Sequence, residues 1–176
     1  MQNATMEIGL VYFYTATILN WKNLLIMDKY KDTIMNSLKY LVKNGKVKIY
    51  GFVIMPNHVH LIWEMLEKNG KELPSASLMK FTGHIFLKDL QESHPQVLAQ
   101  FVVNTSTREH HFWQRNSLPI LLYTPEVLQQ KLEYIHQNPL QEKCKLTEIP
   151  ENYKYSSANF YETGIDEFDI LTHWRD

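Results

Sequence analysis

The chain has 176 residues, 44% of them apolar and 21% charged, which predicts a globular domain with a hydrophobic core and excludes a disordered chain. No apolar run approaches the roughly 20 residues of a membrane span, no signal peptide is expected, and the single cysteine, Cys144, excludes an internal disulfide, so a cytoplasmic protein is expected. The net charge of -1, from 18 Lys and Arg against 19 Asp and Glu, gives little support to a strongly basic nucleic-acid binder.

The first third of the chain is predicted to form a strand, a helix and a hairpin. Residues 7–19 are rich in β-branched and aromatic side chains and predict a central strand. Residues 28–44 carry apolar side chains at helical spacing, and Asp28 is predicted to be the N-cap of that helix. Strand formers on both sides of Pro56 and Asn57 then predict two antiparallel strands with a tight turn over residues 47–65.

The rest of the chain is predicted to contain a helix, an irregular segment, an edge strand and a third helix. These elements cover residues 75–90, 95–117, 118–123 and 125–138. Thr124 is the predicted N-cap of the third helix, because Pro125 fits the first helical position. That helix should end at Asn138, because the following proline disfavours the α conformation there. Residues 140–176 are predicted to be an irregular C-terminal extension, in which Ser156 and Ser157 can open a short helix.

This order, β-α-β-β-α-β followed by a helix, predicts an α+β protein of the ferredoxin-like, split βαβ kind. Such a fold has a four-stranded antiparallel sheet with two helices on one face, and here a third helix is added. The chain is predicted to be one domain over residues 1–176, with a core of about 7–139. The first and third strands should be adjacent at the centre, so that the strand after Asn57 is central and one of its faces is left open by the two helices.

Two histidines alternate on that central strand. Because strand side chains alternate between faces, one face carries His58, His60 and Ile62 and the other carries Val59, Leu61 and Trp63. The two imidazoles therefore stand side by side, with Cα atoms roughly 6.5–7 Å apart, and can bind one metal ion. The alternative is that both histidines are structural.

The third helix combines a tyrosine with polar neighbours. Tyr134 and Asn138 are four residues apart and share a face, and Lys131 lies near them. If this face lies over the histidine strand, Asn138 supplies a third ligand oxygen and Tyr134 points at a metal-bound phosphate. A phenolic oxygen can attack phosphorus to form a phosphotyrosine ester, and a cation polarises the phosphate. Alternatively, Tyr134 packs and Asn138 caps the helix.

Four segments carry a resemblance to a known family. Residues 55–62, Met-Pro-Asn-His-Val-His-Leu-Ile, resemble the His-hydrophobic-His (HUH) motif of single-tyrosine transposases, and residues 134–139 resemble their tyrosine helix. Residues 112–115 and 153–158 are more similar to the REP-associated tyrosine transposase branch than to the shorter insertion-sequence enzymes. The resemblance spans nearly the whole chain. One departure is the run 140–144, where relatives commonly have a basic, glycine-containing sequence, so the resemblance does not extend to DNA contacts there.

The resemblance implies a metal-dependent endonuclease and strand transferase that cuts and rejoins single-stranded DNA beside hairpins through a 5'-phosphotyrosine intermediate. By position, Tyr134 matches the nucleophile and His58 and His60 match the metal ligands. Asn138 matches the third ligand, where insertion-sequence enzymes often have Gln. The implied cofactor is Mg²⁺ or Mn²⁺, and ligand softness favours Mn²⁺. Relatives include dimers that exchange tyrosine helices, so a homodimer and a monomer are both open.

Four further residues are candidates for DNA contact, namely Lys131, Arg115, Trp113 and Arg108. Trp113 could stack on an unpaired base, but a core position is an equally good interpretation. Two other functions stay open. One is a ferredoxin-like nucleic-acid-binding module without catalysis. The other is a metal-dependent phosphohydrolase of the histidine-triad kind, although that pattern needs a third histidine where Ile62 stands.

Overall fold

The computed structural model describes residues 5–105, 108–115, 117 and 119–176, with only the backbone described at 104, 105 and 108. In chain order the strands and α-helices are β1 (Val11–Thr17), α1 (Asp28–Lys43), β2 (Val47–Ile54), β3 (His58–Met65), α2 (Pro74–Ser93), α3 (Pro95–Leu98), β4 (Val102–Thr105), β5 (Arg108–His110), β6 (Ile120–Leu121), α4 (Pro125–Gln137) and α5 (Ala158–Thr163). None of the described helices is long and apolar enough to cross a membrane.

The main sheet has the strand order β2-β3-β1-β6, with every neighbouring pair antiparallel. The first and third strands are therefore adjacent at its centre, as predicted. With α1 after β1 and α2 after β3, this is the predicted ferredoxin-like arrangement. The predicted fold class is confirmed.

Helices cover both faces of the sheet. On one face α1 and α2 pack on a large core whose fully buried members include Leu38, Trp63 and Phe86. On the other face α4 packs through Leu132 and Ile135 on a smaller core. The alternation predicted for β3 is confirmed, because Val59, Leu61 and Trp63 belong to the first core and Ile62 to the second. The histidine face is thus the one covered by the tyrosine helix.

A β-bulge in β2 lets α4 approach the sheet closely. The pairing of β2 with β3 shifts between Ile49 and Gly51, which leaves Tyr50 as the extra residue. A Cβ atom at Gly51 would lie 2.5 Å from Leu132 Cδ1 and 3.1 Å from Ile135 Cδ1. Because Gly51 has no side chain, α4 can pack close to the sheet, which brings the tyrosine helix near the histidine strand.

The predicted irregular extension contacts β2 directly. The amide of Ile54 donates to the carbonyl of Tyr155 at 2.9 Å, and the amide of Thr172 donates to the carbonyl of Ile49 at 2.9 Å. The phenol of Tyr161 donates to the carbonyl of Tyr50 at 2.6 Å. Because β2 is an edge strand, these bonds satisfy backbone groups that would otherwise be open to pairing with another chain.

Three details differ from the sequence prediction. The edge strand predicted over residues 118–123 is only Ile120–Leu121, paired with β1. The segment predicted to be irregular contains the hairpin of β4 and β5, whose main-chain pairing does not need apolar alternation. Asp28 is the first helical residue rather than the N-cap, and its carboxylate pairs with Lys31 at 2.8 Å, which stabilises the first turn.

Candidate active site

The two histidines lie together at the start of β3. Their ring centroids are 4.7 Å apart with an angle of 71° between the planes. His60 is buried, and His58 is partly buried at the strand end. Across the sheet, His60 pairs with Thr15 and His58 pairs with Thr17. The structure therefore places both imidazoles side by side, as the strand alternation predicted.

Each imidazole uses its Nδ1 atom for a hydrogen bond with the protein. The Nδ1 atom of His60 lies 2.8 Å from Thr15 Oγ1, and that of His58 lies 2.7 Å from Asn57 Oδ1. The amide oxygen can only accept, so His58 donates through Nδ1–H and keeps its lone pair on Nε2. The hydroxyl of Thr15 can accept or donate, so its bond is compatible with the same tautomer of His60. Metal-binding histidines are commonly oriented in this way, with the second nitrogen held by an oxygen.

The surroundings keep both imidazoles neutral near pH 7. Burial, with smaller contributions from the charges of His58 and Lys131, lowers the pKa of His60 to about 3. Burial also lowers the pKa of His58, although a hydrogen bond with the side chain of Asn138 acts in the opposite direction. A neutral imidazole is the form that binds a metal, since protonation removes the ligand lone pair.

Asn138 brings an amide to the same place. It is buried at the end of α4, and its Nδ2 donates to the carbonyl of Tyr134 at 2.9 Å. This bond satisfies a helix-end carbonyl, and the side chain of Asn138 also interacts with His58. Asn138 therefore holds the helix end, the alternative named above, and its amide also lies beside His58. Within the described residues no three His, Cys, Asp or Glu side chains could hold a metal, so the candidate ligand set depends on this amide.

Tyr134 lies beside the histidine pair with its ring partly open to solvent. Its side chain is 46% exposed, and its ring centroid is 5.6 Å from that of His60. Phe13 fills the space beneath, stacked on His60 at 5.0 Å and edge-on to Tyr134 at 6.1 Å. The Nζ atom of Lys131 is 5.5 Å from the centre of the Tyr134 ring. One chain thus brings the tyrosine, the lysine and both histidines together.

The four DNA-contact candidates lie in different places. Lys131 is at the site, and Arg115 is exposed on the wall of a neighbouring cleft. Trp113 is only 5% exposed, and its Nε1–H donates to Thr82 Oγ1 at 3.0 Å inside the core. Its ring faces are therefore not open to a base, and the core interpretation is correct. The side chain of Arg108 lies outside the described residues.

Three residues of the site were not found from the sequence. Thr15 and Asn57 orient the histidines, and Trp21 lies edge-on to His58 at 5.7 Å while 57% of its side chain is exposed. Asn57 could have been noticed because it precedes the histidine motif. Thr15 and Trp21 have no such signal, because their positions depend on the pairing of β1 with β3 and on the loop that follows β1.

The loop that carries Trp21 has an unusual backbone. Asn20 and Trp21 have φ values of 55° and 56°, in the left-handed region that a bulky residue rarely adopts. The amide of Trp21 donates to the carbonyl of Ile18 at 2.9 Å, and its carbonyl accepts from Asn57 Nδ2 at 3.4 Å. The same asparagine side chain therefore contacts both His58 and the Trp21 loop.

Comparison with known proteins places this arrangement in a family context. No family model matches the chain. A curated protein of Haemophilus influenzae named "Putative REP-associated tyrosine transposase" is 25% identical over 150 residues, which are 85% of this chain and 80% of that protein. A solved structure of a REP-associated tyrosine transposase bound to a REP hairpin has a TM-score of 0.63 and 16% identity, and the match covers 100% of this chain and 94% of that chain.

The two comparisons contribute different information. The solved structure shows the fold, since its sequence identity is low, and the curated protein supplies a sequence relationship over most of both chains. Both carry the family name that the histidine and tyrosine motifs indicated. The resemblance recognised in the sequence is therefore confirmed, because the chain is similar to REP-associated tyrosine transposases in sequence and in fold.

Proposed function

We propose that this protein cuts and rejoins single-stranded DNA beside hairpins, through a 5'-phosphotyrosine intermediate on Tyr134. The observation that carries the proposal is the position of the Tyr134 ring, 5.6 Å from His60, in a site whose two imidazoles already use their Nδ1 atoms for hydrogen bonds with Thr15 and Asn57. Because the tyrosine and histidines of one chain already meet, the site needs no helix from a second copy, and a monomer can act.

Tyr134 is the nucleophile in this proposal. Its oxygen attacks the scissile phosphorus, the P–O3' bond breaks, and the phenolic proton leaves as the departing 3'-oxygen gains one. The product is a 5'-phosphotyrosine ester and a free 3'-hydroxyl. Attack of a 3'-hydroxyl on the ester reverses these changes and joins two strands without an external energy source. The partial exposure of Tyr134 leaves its oxygen within reach of a strand bound at the surface.

Lys131 assists by its charge. Its ammonium lies beside the rings of Phe13 and Tyr134, 4.9 Å and 5.5 Å from their centres. Negative charge increases on the tyrosine oxygen as the proton leaves and on the phosphate oxygens during displacement. A cation held at the rim of a partly buried site stabilises both. Lys131 therefore serves as a positioned cation rather than as a general DNA contact.

The donor set fits a divalent cation, Mg²⁺ or Mn²⁺, held by His58, His60 and Asn138. Two neutral imidazoles with their Nδ1 atoms already bonded, and an amide side chain that interacts with one of them, have the chemistry of ligands. When bound, the cation would polarise the scissile phosphate as a Lewis acid. Mixed nitrogen and oxygen donors favour Mn²⁺ over Mg²⁺.

DNA hairpins are the proposed partner because one similar solved structure is of a protein bound to a REP hairpin. The test is to incubate the protein with labelled, single-stranded hairpin DNA and Mn²⁺ and to look for a covalent adduct by denaturing gel. We expect an adduct with the natural protein and none with Tyr134→Phe, whereas Tyr123→Phe is a matched control, since Tyr123 is exposed just before α4.

The remaining functions give different results in the same assay. A phosphohydrolase would hydrolyse added nucleotide esters with Tyr134→Phe as well as with the natural protein. A binding module would shift the hairpin without metal and cut nothing. Either result would contradict the strand-transfer proposal.

A further inference from the structure

A cleft next to the histidine pair has no part in the chemistry described above. It has a volume of about 490 Å³, within the usual range of roughly 300–1,000 Å³ for small-ligand pockets. Its wall includes Thr15, Thr17, Trp21, Gln114 and Arg115. We refer to it as the Trp21 cleft.

The Trp21 cleft shares residues with the candidate active site. Thr15 forms part of its wall and also bonds to His60 Nδ1 at 2.8 Å. Trp21 lies on its rim and is edge-on to His58, with ring centroids 5.7 Å apart. A group bound in this cleft is therefore separated from His60 only by Thr15 and from His58 only by Trp21.

Trp21 has the properties of a stacking platform. The indole is more than half exposed, while its backbone is held on both sides by the bonds to Ile18 and Asn57. A fixed, exposed indole costs little entropy when a ligand covers it. Nucleic-acid bases are suitable ligands, since every base has a flat π-face and stacking on an aromatic ring tolerates any sequence.

The polar groups of the cleft are suited to binding a nucleotide. Arg115 supplies an exposed cation that can pair with a phosphate, and Gln114 and Thr17 supply hydrogen-bonding groups. Among the described residues in the wall, none is acidic. A DNA backbone would therefore meet positive charge there, although the chain as a whole is nearly neutral.

We propose that the Trp21 cleft binds one unpaired nucleotide adjacent to the scissile phosphate, with its base stacked on Trp21. This rests on the proposed function in taking single-stranded DNA as the ligand. Stacking there holds the strand against the histidine pair, so Trp21 is a positioning residue and not a catalytic one.

Binding measurements in metal-free buffer test the proposal, with Tyr134→Phe as the parent protein so that no cleavage occurs. The probes are a short labelled oligothymidine, the same strand with one 2-aminopurine, and a blunt duplex. We expect Trp21→Ala to weaken binding of the single strand by roughly 5- to 150-fold and to leave duplex binding unchanged. The parent should quench 2-aminopurine fluorescence by stacking, Trp21→Ala should not, and Trp21→Phe should retain most of the affinity and quenching.

Tyr40→Ala is the matched control, because Tyr40 is 54% exposed but lies on α1, on the other face of the sheet. It should bind as the parent does. Equal single-strand binding by Trp21→Ala and its parent would overturn the proposal, as would a parent that does not bind the single strand. In a separate adduct assay with Mn²⁺ and Tyr134 intact, a Trp21→Ala variant that loses adduct only through weaker Mn²⁺ binding would show that Trp21 acts on His58 alone, and the proposal would be wrong. Normal stacking on Trp21, together with no adduct from the protein that retains Tyr134, would instead disprove the strand-transfer function.

Discussion

Replacing Gly51 by alanine tests whether the distance between α4 and the sheet controls the candidate site. The added Cβ would lie 2.5 Å from Leu132 Cδ1, whereas ordinary contacts begin at 3.4 Å. Ile135 Cδ1 at 3.1 Å and Ser157 Oγ at 3.4 Å close the other sides. Because both α4 side chains are buried against the sheet, neither can turn away freely, and the helix must move by about 1 Å.

Two magnitudes follow from this movement. Overpacking of a buried site costs about 1–3 kcal/mol, which exceeds the roughly 0.4–1 kcal/mol that alanine gains over glycine from the unfolded state. We therefore expect Gly51→Ala to lower the free energy of unfolding by about 1–2 kcal/mol. Since Tyr134 moves with α4, adduct formation should fall by about 100-fold, the usual effect of a 1 Å displacement at a reacting centre.

Urea unfolding and the hairpin adduct assay measure the two effects separately. Gly83→Ala is the matched control, because its Cβ would meet only Phe112 Cδ2 at 3.9 Å. It lies inside α2, so alanine should stabilise the protein by up to about 1 kcal/mol and leave the adduct rate unchanged. Adding Leu132→Ala to Gly51→Ala should cost less than the sum of the two single changes. An unchanged or higher stability of Gly51→Ala would refute the packing argument.

Three further predictions concern the histidines and the core tryptophan. Thr15→Val removes the oxygen bonded to His60 Nδ1 and should weaken Mn²⁺ binding. In a metal titration of adduct formation, the Mn²⁺ concentration that gives half-maximal adduct should rise by about 10- to 100-fold, whereas Thr17→Val should leave it unchanged. The pKa of His60 is lowered to about 3 and that of His136 to about 4. As the pH falls below about 6.5, these two histidines therefore bind protons in the unfolded chain but stay neutral in the folded chain. The free energy of unfolding should thus be level above pH 7 and fall between pH 6.5 and 4.5, with a smaller fall in His136→Phe; a flat profile in urea titrations would contradict this. Trp113→Phe loses the bond to Thr82 and should lower stability by about 1 kcal/mol while single-strand binding stays the same, and weaker DNA binding at full stability would restore its role as a DNA contact.

Local patterns in the sequence determined much of the fold and the main candidate residues. The alternation in β3 placed His58 and His60 on one face of the strand, and the spacing of four residues placed Tyr134 and Asn138 on one face of the third helix. Thr124 caps α4 as predicted, because its side chain accepts from the amide of Val127. These features could be predicted because each depends only on neighbouring residues along one strand or helix.

Tertiary structure alone decided which side chains support those residues. Thr15 reaches His60 because antiparallel pairing brings two residues 45 positions apart into register, and no local periodicity encodes a register between strands. The closeness of α4 to the sheet depends on a missing side chain at Gly51, and the position of Trp21 depends on a loop in a rare backbone conformation. The sequence by itself thus determined the histidine and tyrosine faces, whereas packing between distant segments decided how they are oriented and what lies beside them.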